Sequence, residues 1–157
     1  MNWTHLHLAL NHVPVLGVPF VTLLLVWGWF FRKPEVSRVA VLWTLGIAAA
    51  SIAIKFTGDS AAGVDPSRFL PVHELLERHE KSADQATTAV FVWGLAAAVA
   101  TYLGRGQKAV PAPVLGILMA LGVVTCVLLA RTANIGGQIS HPQIRESAAG
   151  GTPGGRP

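Results

Sequence analysis

The sequence predicts an all-α integral membrane protein, a four-helix bundle whose spans run up-down-up-down. Composition is the first observation: the chain is 52% hydrophobic and only 13% charged, whereas ordinary soluble domains are about 25% charged. The second is that its apolar residues form four long runs joined by short charged connections. Four spans of about 20 residues use nearly all of the chain, so a single transmembrane domain over residues 1–146 is expected. The glycine-rich residues 147–157 predict a disordered tail.

The first span is predicted over residues 8–31, which carry no formal charge and end at Arg32. A run of about 24 residues makes about 36 Å of helix, enough to cross a hydrocarbon core of about 30 Å with some tilt. It lacks the basic start and the cleavage pattern of a signal peptide, so we expect it to be retained. Pro14 and Pro19 each remove a backbone donor and predict a kink in the outer half of this helix.

The second run lies between Arg38 and Lys55 and is short, but the Lys55 side chain can snorkel outward and lengthen it. The third run covers residues 86–103 and the fourth covers residues 110–129. Small residues are frequent in the second and third runs. Because lipid gives apolar helices no hydrophobic reason to associate, close packing through small residues is the usual means, and a compact bundle is expected.

A short amphipathic helix over residues 71–84 is predicted to lead into the third span. Helical spacing puts polar residues on one face and mainly apolar residues on another, His73, Glu77, Glu80 and Asp84 against Leu75, Leu76 and His79. The first face is expected to be hydrated and the second to pack on the bundle. His79 is therefore the better ligand candidate of this segment.

The charged connections predict the orientation. Residues 32–38 and residues 105–108 are short and rich in Lys and Arg, so the positive-inside rule places them in the cytoplasm. Both termini are then on the periplasmic side of a bacterial inner (plasma) membrane. Because the basic residues lie at span ends, without an aromatic-interleaved patch, the pI of 9.8 indicates membrane-flanking charge and no nucleic-acid partner.

All six histidines fall on one side of the bilayer in this topology, namely His5, His7, His12, His73, His79 and His141. His12 lies about one turn inside the outer boundary, where an ionisable group normally faces the bundle. We expect the fourth helix to end near Asn134 and the chain to turn at Gly136, which would bring His141 above His12 and His79. His5, His7 and His73 are expected to be wetter and replaceable.

Three functional classes are open at this point. In the first, the bundle is an electron-transfer subunit that binds haem b through His12 and His79, with His141 in reserve. Arg131 and Lys55 lie at the same rim and could pair with the haem propionates. Other redox subunits of the membrane are the expected partners in this class, besides the lipid bilayer.

The second class is a metal-binding protein that holds zinc, copper or iron with His12, His79, Glu80 and His141. The third is a structural or assembly subunit in which the histidines brace the rim without a cofactor. The chain has no Ser/His/acid pattern, phosphate loop or Cys-x-x-Cys motif, which would indicate a hydrolase, a nucleotide enzyme or covalent haem. Whether the chain is an enzyme therefore stays open.

Four short motifs carry a resemblance to a known family: Leu-Asn-His-Val-Pro at residues 10–14, Thr-Gly-Asp at 57–59, His-Glu at 79–80, and Thr-Ala-Asn-Ile-Gly-Gly-Gln-Ile-Ser-His-Pro at 132–142. Over roughly residues 5–146 the chain resembles an uncharacterised bacterial family of four-helix predicted membrane proteins. Val13 and Asp59 stand where that family leads us to expect phenylalanine and glutamate. The resemblance implies the fold and the membrane location but no activity.

Overall fold

A computed structural model describes residues 3–62, 73–106 and 109–141, and these residues form four helices: α1 Trp3–Phe30, α2 Pro34–Ala62, α3 His73–Leu103 and α4 Ala112–Ser140. All four are long and apolar enough to cross a membrane. The chain is therefore a multi-pass membrane protein, and the predicted all-α four-helix fold is confirmed. The predicted tail at residues 147–157 lies outside the described residues.

The helices form a ring in chain order. α1 packs on α2 and α4, and α3 packs on the same two helices, so α1 and α3 face each other diagonally. Left-handed backbone conformations occur just after α1, at Arg32 with φ 53°, and just after α3, at Gly106 with φ 74°. The bundle thus consists of a first hairpin, α1 and α2, and a second hairpin, α3 and α4.

The middle of the bundle is apolar and closely packed. Val18, Leu25, Trp93 and Leu118 have no exposed surface. The Trp93 indole Nε1 donates a hydrogen bond of 2.8 Å to the Leu118 carbonyl, which satisfies its polar atom inside the core. Several core hydroxyls donate to the carbonyl four residues earlier in the same helix, at Thr22, Thr44, Ser51, Thr125 and Thr132. Such local bonds satisfy the hydroxyls where water is absent.

α2 and α3 approach each other closely at Ala48 and Gly94. A Cβ atom added to Gly94 would lie 2.5 Å from the Ala48 Cβ, far inside van der Waals contact. The expected packing through small residues is therefore present at this crossing. It brings the two hairpins together at the level of the core.

All four helices are longer than the apolar runs suggested. α2 begins at Pro34 and continues past Lys55 to Ala62, and α3 is continuous from His73, so the predicted lead segment is helical from that residue onward and is joined directly to the third span. Lysine and glutamate are good helix formers. A charge therefore marks where a helix leaves the hydrocarbon and not where it ends.

The expected end of the fourth helix was wrong. α4 continues through Gly136 and Gly137 to Ser140, and the His141 amide closes it with a hydrogen bond of 2.9 Å to the Gly137 carbonyl. Glycine costs about 1 kcal/mol in a helix interior, but at Gly136 its small size makes room for the His79 ring. Packing between helices thus outweighs the propensity of the sequence to break there.

Candidate functional site

A cavity of about 540 Å³ opens at the end of the bundle where α1 and α3 begin and α2 and α4 end. All four helices contribute to its wall, and its volume is in the range of about 300–1,000 Å³ typical of small-molecule sites. Apolar side chains from three helices line it, Ile54, Ala86, Val90 and Leu129, and the imidazoles of His7 and His79 share it. We call it the histidine cavity.

His7 reaches the histidine cavity from α1 and is fixed against α2. Its Nδ1 lies 3.2 Å from the Ile54 carbonyl and 3.4 Å from the Thr57 hydroxyl. A carbonyl only accepts hydrogen bonds, so a bond to Ile54 puts the proton on Nδ1 and leaves Nε2 as the unprotonated ring nitrogen. The ring packs on Gly58, where an added Cβ would lie 2.9 Å from its Cε1.

His79 reaches the same cavity from α3 and packs against α4. A Cβ added to Gly136 would lie 3.1 Å from the His79 Cε1. The Thr132 backbone interacts electrostatically with the imidazole, but the buried Nδ1 makes no hydrogen bond within the part of the chain that the structure describes. A nearby carbonyl without hydrogen-bond geometry leaves this nitrogen unsatisfied, at a cost of about 1–3 kcal/mol.

The two hairpins each place a glycine beside their histidine, Gly58 beside His7 and Gly136 beside His79. Ile54 precedes Gly58 by four residues, and Thr132 precedes Gly136 by four residues. In an α-helix each carbonyl points toward the residue four positions later, where a side chain would crowd the approach to the oxygen. Glycine at that position exposes the carbonyl to the ring from the neighbouring helix. Each hairpin therefore presents one imidazole, and because α1 and α3 are diagonal the two rings approach the cavity from opposite helices.

His7 and His79 both line the histidine cavity, one from each hairpin. Neutral imidazole is the form that ligates a metal. The arrangement can thus supply two nitrogen ligands to one bound group.

The expected orientation of His12 was wrong. His7, Asn11 and Pro14 line the cavity, at the spacing of four and then three residues that keeps side chains on one helix face. His12 is one residue beyond Asn11, about 100° around the helix, and is exposed on the outside of the bundle. His7, which was expected to be wet and replaceable, takes the inward position. The His5 side chain lies outside the described part of the chain.

Lys55 and Asp84 connect α2 and α3 at the edge of the histidine cavity. The Lys55 Nζ lies 3.1 Å from the Asp84 Oδ1, with side-chain exposures of 49% and 70%, and both residues line the cavity. Glu80 also lines it. Lys55 is therefore at the predicted rim but paired with a carboxylate of this chain.

The other predicted residues lie away from the histidine cavity. Arg131 and His141 are exposed and do not line it. His73 forms an exposed pair with Glu77, with 3.4 Å between Nδ1 and Oε1, which agrees with the hydrated face expected for this part of α3.

The predicted metal set is not assembled. Of its members only His79 and Glu80 line the cavity, and within residues 3–62, 73–106 and 109–141 no three His, Cys, Asp or Glu side chains are placed to hold one ion. The reason is the same rotation that turns His12 outward, together with the continuation of α4, which carries His141 along the helix axis and not across the cavity mouth.

Two signals in the sequence pointed to His7. The spacing of His7, Asn11 and Pro14 marks one face of α1, and Gly58 follows the second run by three residues, at the same side of the membrane as His7 in the predicted topology. Comparison of the chain with protein-family models, with curated proteins and with solved structures finds no match. The site therefore has to be argued from its own geometry.

Proposed function

We propose that this membrane bundle binds haem b in the histidine cavity and serves as an electron-transfer subunit, and that His7 and His79 are the residues that would hold the haem. The observation that carries the proposal is the convergence of these two imidazoles, from diagonal helices, on one cavity of about 540 Å³. Histidine is a usual axial ligand of haem iron, and the cores of helical bundles are common sites for it. When bound, haem supplies one-electron exchange.

The hydrogen bonding of His7 fits this role. Metal-ligating histidines almost always donate their second ring N–H to a carbonyl or carboxylate, which fixes the tautomer and the ring orientation. The contact between Nδ1 and the Ile54 carbonyl is of that kind. It leaves Nε2 of His7 as the ligating atom.

His79 fits through its unsatisfied nitrogen. Its buried Nδ1 makes no hydrogen bond in the described part of the chain, and the Thr132 backbone interacts electrostatically with the ring. A hydrogen bond from Nδ1 to the Thr132 carbonyl would make Nδ1 the protonated nitrogen and would leave Nε2 of His79 to hold a bound group.

The rest of the cavity fits a molecule that is apolar with a charged edge. Ile54, Val90 and Leu129 give part of its wall an apolar surface. Lys55 lines the wall between α2 and α3 and could pair with a propionate in place of Asp84. Arg131 is on the outside of the bundle, so we propose no cofactor contact for it.

The basic residues at the other end of the bundle support an orientation of the site in the membrane. Arg32, Lys33, Arg38 and Arg105 lie at the opposite end of the helices from the histidines. By the positive-inside rule we propose that the histidine cavity opens on the periplasmic side of a bacterial inner membrane, with other membrane redox subunits as partners.

A second candidate is a structural subunit with no cofactor. The observation that favours it is that each imidazole contacts the other helix of its own hairpin, His7 at Ile54 and His79 at Gly136. In that case the histidines brace the hairpins and the cavity is filled by lipid or water.

The absorption spectrum of the full chain decides between the two. The protein is purified in detergent from a host that makes haem, and spectra are recorded oxidised and after dithionite, with metal content by elemental analysis. We expect a reduced α-band, which His7→Ala or His79→Ala removes almost completely while the outward-facing control His12→Ala keeps it. A colourless wild type that holds no metal and gains no band on added haem would establish the structural candidate, whereas a colourless protein with stoichiometric metal would favour a metal-binding protein. Equal bands in all four proteins would exclude His7 and His79 as ligands.

A further inference from the structure

The second cavity of the molecule lies at the other end of the contact between α2 and α3. The two helices touch at Ala48 and Gly94, the histidine cavity lies toward one end, and toward the other a cavity of about 540 Å³ opens between the start of α2 and the end of α3. Arg38 and Arg105 line it. We call it the arginine cavity, and it has no role in the proposed function.

We propose that the arginine cavity binds the phosphate headgroup of an anionic membrane lipid. Charge is the first reason. Arg38 comes from α2 and Arg105 from the turn after α3, and none of the described residues that line this cavity is acidic. Guanidinium groups make paired, charge-assisted hydrogen bonds to phosphate oxygens, so two of them from different elements can hold one phosphate between them.

Position is the second reason. α2 begins at Pro34 and α3 ends at Leu103, so the arginine cavity lies at the ends of two spans, where the bilayer has its phosphates. The Arg105 guanidinium lies 5.4 Å from the centre of the Tyr102 ring. A cation held over an exposed tyrosine at a span end is anchored in the interfacial layer.

The apolar walls of the cavity are the third reason, and they favour a lipid over free phosphate as the ligand. Val41, Ala100 and Val110 are buried in the cavity wall, and Leu42 is 57% exposed on the lipid-facing side. An acyl chain that descends from a headgroup at the arginines can lie on these apolar side chains. Basic pockets between transmembrane helices are a common form of site for anionic lipid headgroups.

The test is native mass spectrometry of the full chain, titrated in detergent with phosphatidylglycerol, with phosphatidylcholine or with inorganic phosphate. We expect phosphatidylglycerol to bind in preference to phosphatidylcholine. Each of Arg38→Gln and Arg105→Gln should weaken phosphatidylglycerol binding about fivefold, the effect of removing one cation near a membrane surface. Arg38→Lys should keep more of the binding than Arg38→Gln.

The matched control is Lys33→Gln, which removes a charge at the same end from a residue outside the cavity lining. Gel filtration and tryptophan fluorescence show whether each variant is folded. Equal losses in Lys33→Gln, Arg38→Gln and Arg105→Gln would mean that net charge alone attracts the lipid and would overturn the site. Displacement of the lipid by millimolar inorganic phosphate would overturn the lipid as its ligand.

Discussion

The two cavities lie on either side of the same helix contact, but their polar residues are arranged differently. In the histidine cavity the charged pair Lys55 and Asp84 is joined at 3.1 Å, and Glu80 adds a second carboxylate to the lining. In the arginine cavity the described lining has two cations and no acid. The first therefore has a paired cation and an excess of acid, whereas the second has only cations and suits an anion.

The two cavities also differ in how deeply the helices enclose them. Four helices enclose the histidine cavity, and within such a wall an unpaired charge would be costly. The arginine cavity is lined by α2, α3 and the segment that joins α3 to α4, at a span end where water and headgroups solvate guanidinium groups. An unpaired cation is therefore expected to be costly in the histidine cavity and to be tolerated in the arginine cavity.

The largest effect is expected at the contact between α2 and α3, which lies between the two cavities. Gly94→Ala places a methyl group 2.5 Å from the Ala48 Cβ, so α2 and α3 must move apart. We expect a loss of about 1–3 kcal/mol in stability, typical of overpacking, together with weaker ligand binding in both cavities. Thermal unfolding in detergent measures the first, and the spectrum and the lipid titration measure the second.

Gly46→Ala is the control for this prediction, because an added Cβ at Gly46 meets nothing within 4 Å. It should leave stability unchanged or slightly raised, since alanine is the better helix former. If Gly94→Ala and Gly46→Ala unfold at the same temperature, the close contact does not hold the hairpins together.

A substitution of the glycine beside His79 should affect the histidine cavity and leave the arginine cavity unchanged. Gly136→Ala puts a Cβ 3.1 Å from the His79 Cε1, so the ring must shift by a few tenths of an ångström away from α4. We expect reduced haem retention and a shifted α-band, and no change in lipid binding at the arginines. The neighbouring Gly137→Ala, with nothing within 4 Å of the added atom, should leave the spectrum as it is. Identical spectra for the two variants would mean that His79 is not held by α4.

The sequence predicts the spans well because hydropathy alone determines them, and the structure confirms four membrane helices in the predicted order. It does not predict which face of α1 is inward. In a soluble protein a polar face would mark the outside, but here Leu16, Phe20 and Leu23 are exposed to lipid while Val18 and Val21 are buried. With apolar residues on every side, the rotation of α1 is set by its contacts, and His12 was assigned the position that His7 occupies.

The ends of α2 and α4 could not be predicted from the sequence for a related reason. Gly136 and Gly137 suggest termination by their propensity, but α4 continues because Gly136 accommodates the His79 ring. The charge of Lys55 suggested a boundary in α2, and it proves to be a contact with α3 through Asp84. Both features depend on a partner far away in the chain, which local sequence patterns do not contain.

The smallest effect, and the sharpest test of the difference between the ends, is expected from Asp84→Asn. The pair with Lys55 is exposed on both sides, and exposed ion pairs contribute about 0–1 kcal/mol, so the stability of the bundle should hardly change. Its loss removes the acid paired with Lys55 and leaves Glu80 as the remaining carboxylate of the described lining, so the histidine cavity should become more like the arginine cavity and bind anions more readily than it does in the wild type. A phosphatidylglycerol titration in the apo state should show an additional binding event that Lys55→Gln, or Lys55→Gln combined with Asp84→Asn, does not show. If Asp84→Asn binds no more lipid than the wild type, charge balance is not what distinguishes the two cavities, and depth alone explains their difference.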